Sequence, residues 1–169
     1  MLRLIPFKYC INKKLYDMYQ DIPNSEIGSS NIFYGLSYND FIMKCIPYTL
    51  EEKIINKSIN TTTKRYILFC DDIPIGEIGI RTTLNDYWIN KGSQIYYKIR
   101  TSKRGNGYGN IMLSLGLKRA KELGFNKIRI NCDDNNIPSK KVIMNNSGII
   151  DIKSYKTNDG TSTSYIIDL

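Results

Sequence analysis

A chain of 169 residues that is 41% hydrophobic and 24% charged has apolar material for one folded domain with a sizeable core, and too little length to expect two. Its formal charge of +8 is spread without a long basic run or a nucleic-acid motif, so it reads as a solvated surface or one that steers small anions, not as a nucleic-acid binder. Histidine is absent, which excludes Ser-His and Cys-His nucleophile pairs and the usual imidazole base.

No apolar run reaches membrane-spanning length and the start, MLRLIPFKYC, lacks a signal-peptide core. A cytoplasmic location with no membrane partner is expected. Cys10, Cys45, Cys70 and Cys132 are scattered without C-x-x-C spacing, which argues against a metal site and against a disulfide framework. Buried thiols are the expectation.

In chain order, residues 2–9 read as an opening strand and residues 11–19 as a short helix with Leu15, Met18 and Tyr19 on one side. DIPNSEIGSS (21–30) carries the residues of a loop. A helix is predicted from about Asn39 with an interruption at Pro47, and a second from Thr49, where Thr49 and Glu52 have capping-box spacing. RYILFC (65–70), a turn at Asp71-Asp72 and IPIGEIGIR (73–81) predict a hairpin, with further turns at Asn85-Asp86 and at 90–92. SQIYYKIR (93–100) predicts a strand with Ile95, Tyr97 and Ile99 on one face and Tyr96 and Lys98 on the other.

A glycine cluster, Gly105, Gly107 and Gly109, then precedes a helix to about Leu123 that is apolar over most of its circumference, with Gly124 placed as its C-terminal cap. FNKIRINC alternates Ile128, Ile130 and Cys132 against Lys127, Arg129 and Asn131, as a strand does. Strand–helix–strand of this length implies a right-handed crossover joining parallel strands, 93–100 and 125–132. A helix over 136–145 and two closing strands, IIDIKSY and TSYIIDL, complete the order. The expected fold class is α/β: a mixed, largely antiparallel sheet with one central parallel pair and helices on both faces, spanning residues 1–169 as one domain.

Glycine is costly inside a helix, so its clustering at a helix start suggests close approach of something to the backbone. The loop is not a P-loop, and its G-x-G-x-G spacing is not the dinucleotide fingerprint. What remains is Arg104-Gly105-Asn106-Gly107-Tyr108-Gly109, an R-x-x-G-x-G pattern between a strand and a helix. Successive unobstructed N–H groups at a helix start form an anion site of the kind that suits a pyrophosphate. A glycine-rich turn with only a folding role is the alternative.

At these residues the sequence resembles the GNAT superfamily of N-acetyltransferases, over about residues 65–169. It is similar in particular to a group of bacterial GNAT proteins, through Arg81-Thr-Thr-Leu84-Asn85, Ile95-Tyr-Tyr97-Lys-Ile99-Arg100, the glycine loop, Cys132-Asp133 and Asn136-Ile-Pro-Ser139. The resemblance implies acetyl-CoA as co-substrate, backbone around Ile99 pairing with the pantetheine arm, residues 104 to 109 on the pyrophosphate, and Asn136 and Ser139 on the pantetheine. Helix capping is the alternative role for Asn136 and Ser139. The departures are Ile143 where many members carry a tyrosine that protonates the leaving thiolate, and Thr101, Lys103 and Gly105 within the loop region.

The implied activity is direct transfer of an acetyl group to a primary amine in a ternary complex. Such a transfer needs a base, and Asp133 at a strand end and Glu77 inside an apolar strand are the candidates, although an acid within a strand often just faces solvent. Cys132 continues an apolar face without a histidine partner, which favours packing over nucleophilic catalysis. The acceptor, a small molecule or a peptide amine, is not legible, and monomer and homodimer are both open. A non-catalytic acyl-CoA sensor of the same fold is the rival reading.

Overall fold

The computed structural model describes residues 1–49, 61–83, 93–157 and 160–169. The chain opens with β1 (Leu2–Pro6), a 3-10 turn (Phe7–Tyr9), α1 (Lys13–Gln20), a small hairpin of β2 (Ser25–Glu26) and β3 (Ser29–Ser30), and α2 (Tyr38–Thr49). Strands β4 (Thr63–Cys70), β5 (Ile73–Arg81) and β6 (Ile95–Ile99) follow, then a 3-10 turn (Thr101–Lys103) and α3 (Tyr108–Glu122). The remainder is β7 (Lys127–Asp133), α4 (Ile137–Asn145), β8 (Ile149–Thr157) and β9 (Gly160–Asp168).

Local chemistry sets several boundaries. Asn12 caps α1, its Oδ1 accepting from Leu15 N at 3.1 Å. At the head of α2, Ser37 Oγ accepts from Asp40 N (3.2 Å) and donates to Asp40 Oδ2 (2.6 Å). Pro47 does not interrupt this helix, contrary to the sequence expectation: it removes the one hydrogen bond that residue 47 would donate to the carbonyl of Met43, and α2 runs past it to end two residues later at Thr49. The helix expected to start at Thr49, and the turns at 85–86 and 90–92, lie outside the described residues. Gly124, with φ of +90°, follows the end of α3 as expected.

Among the described residues two antiparallel sheets carry the fold, one of order β1-β4-β5-β6 and one of order β7-β9-β8, beside the small β2-β3 hairpin. The hairpin of β4 and β5 pairs Thr63 with Arg81 through Cys70 with Ile73, with a bulge at Leu68/Phe69. Alternation along β4 divides two cores. Leu68 joins Ile78, Ile80, Met112, Leu113 and Ile130 beneath α3. Ile67 and Phe69 face the other way into an aromatic cluster with Phe7, Tyr19, Phe33 and Phe41 under α1 and α2. Helices therefore cover both faces of the larger sheet, as the sequence predicts. No helix among the described residues is long and apolar enough to cross a membrane.

The expected parallel contact between 93–100 and 125–132 exists only where the two strands begin. Gln94 N donates to Arg129 O (2.8 Å), and Gln94 Oε1 accepts from Arg129 N (2.6 Å). Beyond that root β6 and β7 belong to different sheets, and a cleft opens between them.

Helix α3 sits on β5 closely enough that Gly116 has no room for a side chain: a Cβ there would lie 2.3 Å from Cδ1 of the fully buried Ile78. Gly116→Leu should destabilise the protein by roughly 1–3 kcal/mol through overpacking, read as a lower urea midpoint at unchanged m-value. An unchanged midpoint would mean that α3 can lift off the sheet without cost.

Candidate active site

The cleft of about 940 Å³ is lined by β6, the glycine loop, the end of β7 and the start of α4. β6 is the last strand of one sheet and β7 the first of the other, so each presents a free edge to the gap. An edge strand leaves alternate N–H and C=O groups without a neighbour, and an extended amide chain can add itself there as a further strand. Ile99 lies at the far end of the β6 edge from the root.

The loop at that end is built for backbone display. Gly105 (φ +78°) and Gly107 (φ +75°) are in the left-handed conformation, and a Cβ on either would meet nothing within 4 Å. Both facts make the main chain accessible. Among the described residues, the N–H groups of residues 105–109 donate no hydrogen bond to the protein, and residue 107 is the N-cap of the 15-residue α3. The donors and the positive end of the helix dipole are thus left without a protein acceptor at an unobstructed loop, which fits a pyrophosphate. Asn106 does not face the cleft; its Nδ2 donates to the carbonyls of Lys103 (3.2 Å) and Arg104 (2.9 Å) and holds the loop shape. Arg104 lines the cleft while donating to Ile99 O (3.0 Å) and pairing with Glu26 (2.8 Å).

Across the gap, Asn136 does cap α4, its Oδ1 accepting from Ser139 N (3.1 Å), while its Nδ2 reaches Ile27 O (3.2 Å). Ser139 Oγ lies 2.8 Å from Tyr97 Oη. Burial raises the Tyr97 pKa more than the Ser139 hydrogen bond lowers it, so the phenol stays protonated at neutral pH. Ile143 is fully buried and belongs to the core. Cys132 is likewise packed in that core, and burial pushes its thiol pKa up, so it is not poised as a nucleophile. Asp133 lines the cleft at the end of β7, with Oδ1 accepting from Ser162 Oγ at 2.8 Å. Its Oδ2 points toward Gly28 of the β2-β3 turn, 3.3 Å from where a Cβ would stand.

The sequence motif described as an acetyltransferase (GNAT) domain matches residues 37–147. The chain belongs to the GNAT acetyltransferase family. No curated protein matches the sequence. Solved structures share the fold at low identity. The aminoglycoside acetyltransferase AAC(6')-Ib in complex with coenzyme A has a TM-score of 0.67 at 15% identity, over 99% of this chain and 94% of that one. RimL, a ribosomal L7/L12 α-N-protein acetyltransferase in complex with coenzyme A, gives 0.68 at 16%, over 99% and 93%. The Campylobacter jejuni N-acetyltransferase PseH in complex with acetyl coenzyme A gives 0.61 at 18%, over 99% of each.

This GNAT chain has a second cavity, of about 520 Å³, which shares Gly28, Ser29, Arg81, Tyr96, Tyr97 and Lys98 with the cleft. Glu77 lines this second cavity, and sequence reasoning placed it either as a base or on a solvated face. It is neither exposed nor idle: at 3% exposure it accepts from Tyr19 Oη (2.6 Å) and Tyr96 Oη (2.8 Å), with Lys98 Nζ at 3.5 Å and Arg65 Nε at 3.6 Å. Gly79 makes the arrangement possible, because a Cβ there would overlap the Tyr96 ring at 2.3 Å. Burial alone would raise the Glu77 pKa, but the Lys98 and Arg65 charges and the two phenol hydrogen bonds outweigh it and hold the carboxyl below the ordinary range.

A carboxyl with a depressed pKa contributes stability that is present above its unfolded value, about 4.3, and lost as pH falls through the lower folded one. Glu77→Gln should therefore cost roughly 2 kcal/mol near neutrality, and the gap to the wild type should close as the medium becomes acid. Denaturant melts at several pH values would show it. A gap independent of pH would mean that Glu77 matters only by its shape.

The residues that local pattern missed come mostly from the N-terminal third. Asp21, just after α1, accepts from Arg100 Nε (2.7 Å) and from the Ser102 hydroxyl, and its carbonyl accepts from Thr101 N (3.1 Å). Burial would raise its pKa, but these partners lower it. Together with Glu26 it ties the glycine loop to residues on which the sequence resemblance is silent.

Proposed function

We propose that residues 1–169 act as one acetyltransferase domain that moves the acetyl group of acetyl-CoA directly to a primary amine. The observation that carries this reading is the row of undirected N–H groups at residues 105–109, set between two free strand edges. Acetyl-CoA would supply an activated acetyl thioester. Residues 104–109 would hold its pyrophosphate, with Asn106 acting on the loop and not on the ligand. The β6 edge around Ile99 would align the pantetheine, and the start of α4, with Asn136 and Ser139, would bound its other side.

The amine would enter by the second cavity and meet the thioester near Tyr97 and Lys98, which both cavities share. Of the two candidate bases, Asp133 has an oxygen free of Ser162 and directed toward Gly28, so it is assigned to take the amine proton, directly or through water. Glu77 is engaged by four partners and is assigned to charge organisation in the acceptor cavity. With Ile143 buried, no hydroxyl stands at the helical position that many members use, and the protonated Tyr97 Oη is the group assigned to hydrogen-bond the leaving sulfur. One structural neighbour acts on aminoglycosides, but the cations beside Glu77 make a polycationic acceptor of that kind a poor match here.

The buried Ile143 favours one second reading, an acyl-CoA sensor without turnover. Thiol release from acetyl-CoA, measured against a broad amine panel, separates the two. Amine-dependent release supports transfer, while tight acetyl-CoA binding with no release above the blank supports the sensor.

A further inference from the structure

The geometry points to an acceptor that carries an oxyanion, a carboxylate or a phosphate, beside its amine; this rests on the acetyl-transfer reading above. Among the described residues lining the second cavity, the cations Arg65 and Lys98 share the carboxylate of Glu77. Glu77 does not use up these cations. Its oxygens accept first from the Tyr19 and Tyr96 phenols at 2.6 and 2.8 Å, while Arg65 and Lys98 stand at 3.6 and 3.5 Å, in ion-pair range but beyond a good hydrogen bond. Arg65 also lies 4.5 Å over the Tyr48 ring, which fixes its plane, and Lys98 donates to Ser30 O at 3.2 Å. Their side chains are only 16% and 9% exposed, so water screens them weakly.

More than one positive charge held in a half-dry cavity against one shared carboxylate is incompletely compensated, and an incoming oxyanion completes it. The same field repels a second ammonium. Lys98 lines both cavities, so an anion at Arg65 and Lys98 also orients the amine end of a short acceptor toward the cleft where the thioester would lie.

The test compares four short amines in the thiol-release assay: O-phosphoethanolamine, β-alanine, neutral ethanolamine and dicationic 1,3-diaminopropane. The two anionic amines should exceed ethanolamine in kcat/KM by about tenfold to a hundredfold, with the diamine lowest, and the better of the two tells phosphate from carboxylate. Lys98→Met should collapse that preference about tenfold and Lys98→Arg should restore it, with acetyl-CoA affinity and melting midpoint as checks on the fold. Turnover with ethanolamine or the diamine equal to or above the anionic amines overturns the proposal, and this panel needs no variant. If no amine reacts, the transfer reading falls instead, and calorimetric titration of the four amines into the CoA-saturated protein reads the cavity alone. Selective binding of the anionic pair supports the oxyanion site, and equal or absent binding of that pair overturns it.

Discussion

Gly107→Val should weaken acetyl-CoA binding about thirtyfold to a thousandfold, a loss on the order of 2–4 kcal/mol. Two effects add. A side chain at residue 107 would occupy open space beside the loop N–H groups that have no protein acceptor, since no protein atom lies within 4 Å of the Cβ position. Phosphate oxygens must come within hydrogen-bond distance of that main chain, so one or two charge-assisted bonds are lost. The φ of +75° is also a conformation that a β-branched residue resists, which flattens the loop or strains it. Melting without ligand isolates the strain, because blockade of an anion site leaves the free protein unchanged. Calorimetric titration of acetyl-CoA into both proteins then measures the rest. Equal affinities would reduce the glycines to a turn and remove the observation on which the acetyl-transfer reading stands.

The parts of this fold that are legible in the sequence are those written in short-range periodicity. Ile128, Ile130 and Cys132 are buried, and Ile95, Tyr97 and Ile99 pack on the core while Tyr96 and Lys98 turn to Glu77, as a period of two requires. The glycine loop is legible for a related reason, since its spacing, its basic residue and the helix that follows are contiguous. What stays hidden is held by partners far apart in the chain. Asp21 meets Arg100 and Glu26 meets Arg104, and no window of sequence joins them. Glu77 shows the same limit from the other side. An acid in an apolar strand reads as a base or as an exposed residue until Tyr19 from α1, Arg65 from β4, and Tyr96 and Lys98 from β6 arrive around it. The separation of β6 and β7 is equally non-local. A strand–helix–strand pattern predicts neighbours, but it does not tell a full ladder from two strands joined at one end, through Ser93 and Gln94 to Arg129 and Asn131.

Asp133→Asn should lower turnover about a hundredfold to ten-thousandfold, the range for losing a positioned base, while acetyl-CoA affinity stays close to that of the wild type. Asparagine keeps the shape and one acceptor for the Ser162 hydroxyl, so the end of β7 and the cleft wall should survive the change. What disappears is the capacity of the second oxygen, on the Gly28 side, to take a proton from the amine. That specificity gives the prediction a second arm. An alkylamine is almost wholly protonated at neutral pH, with a pKa near that of lysine at about 10.4, and its free-base fraction grows about tenfold with each pH unit below that value. The variant should then recover turnover as pH rises, because solvent does the deprotonation that Asp133 no longer performs. A structural lesion would lower the rate by a constant factor instead. Turnover equal to the wild type, with melting midpoint intact, would move the base to a water held in the cleft. The remaining carboxylate candidate, Glu77, would gain nothing from that result, because its two oxygens are already held by Tyr19, Tyr96 and two cations.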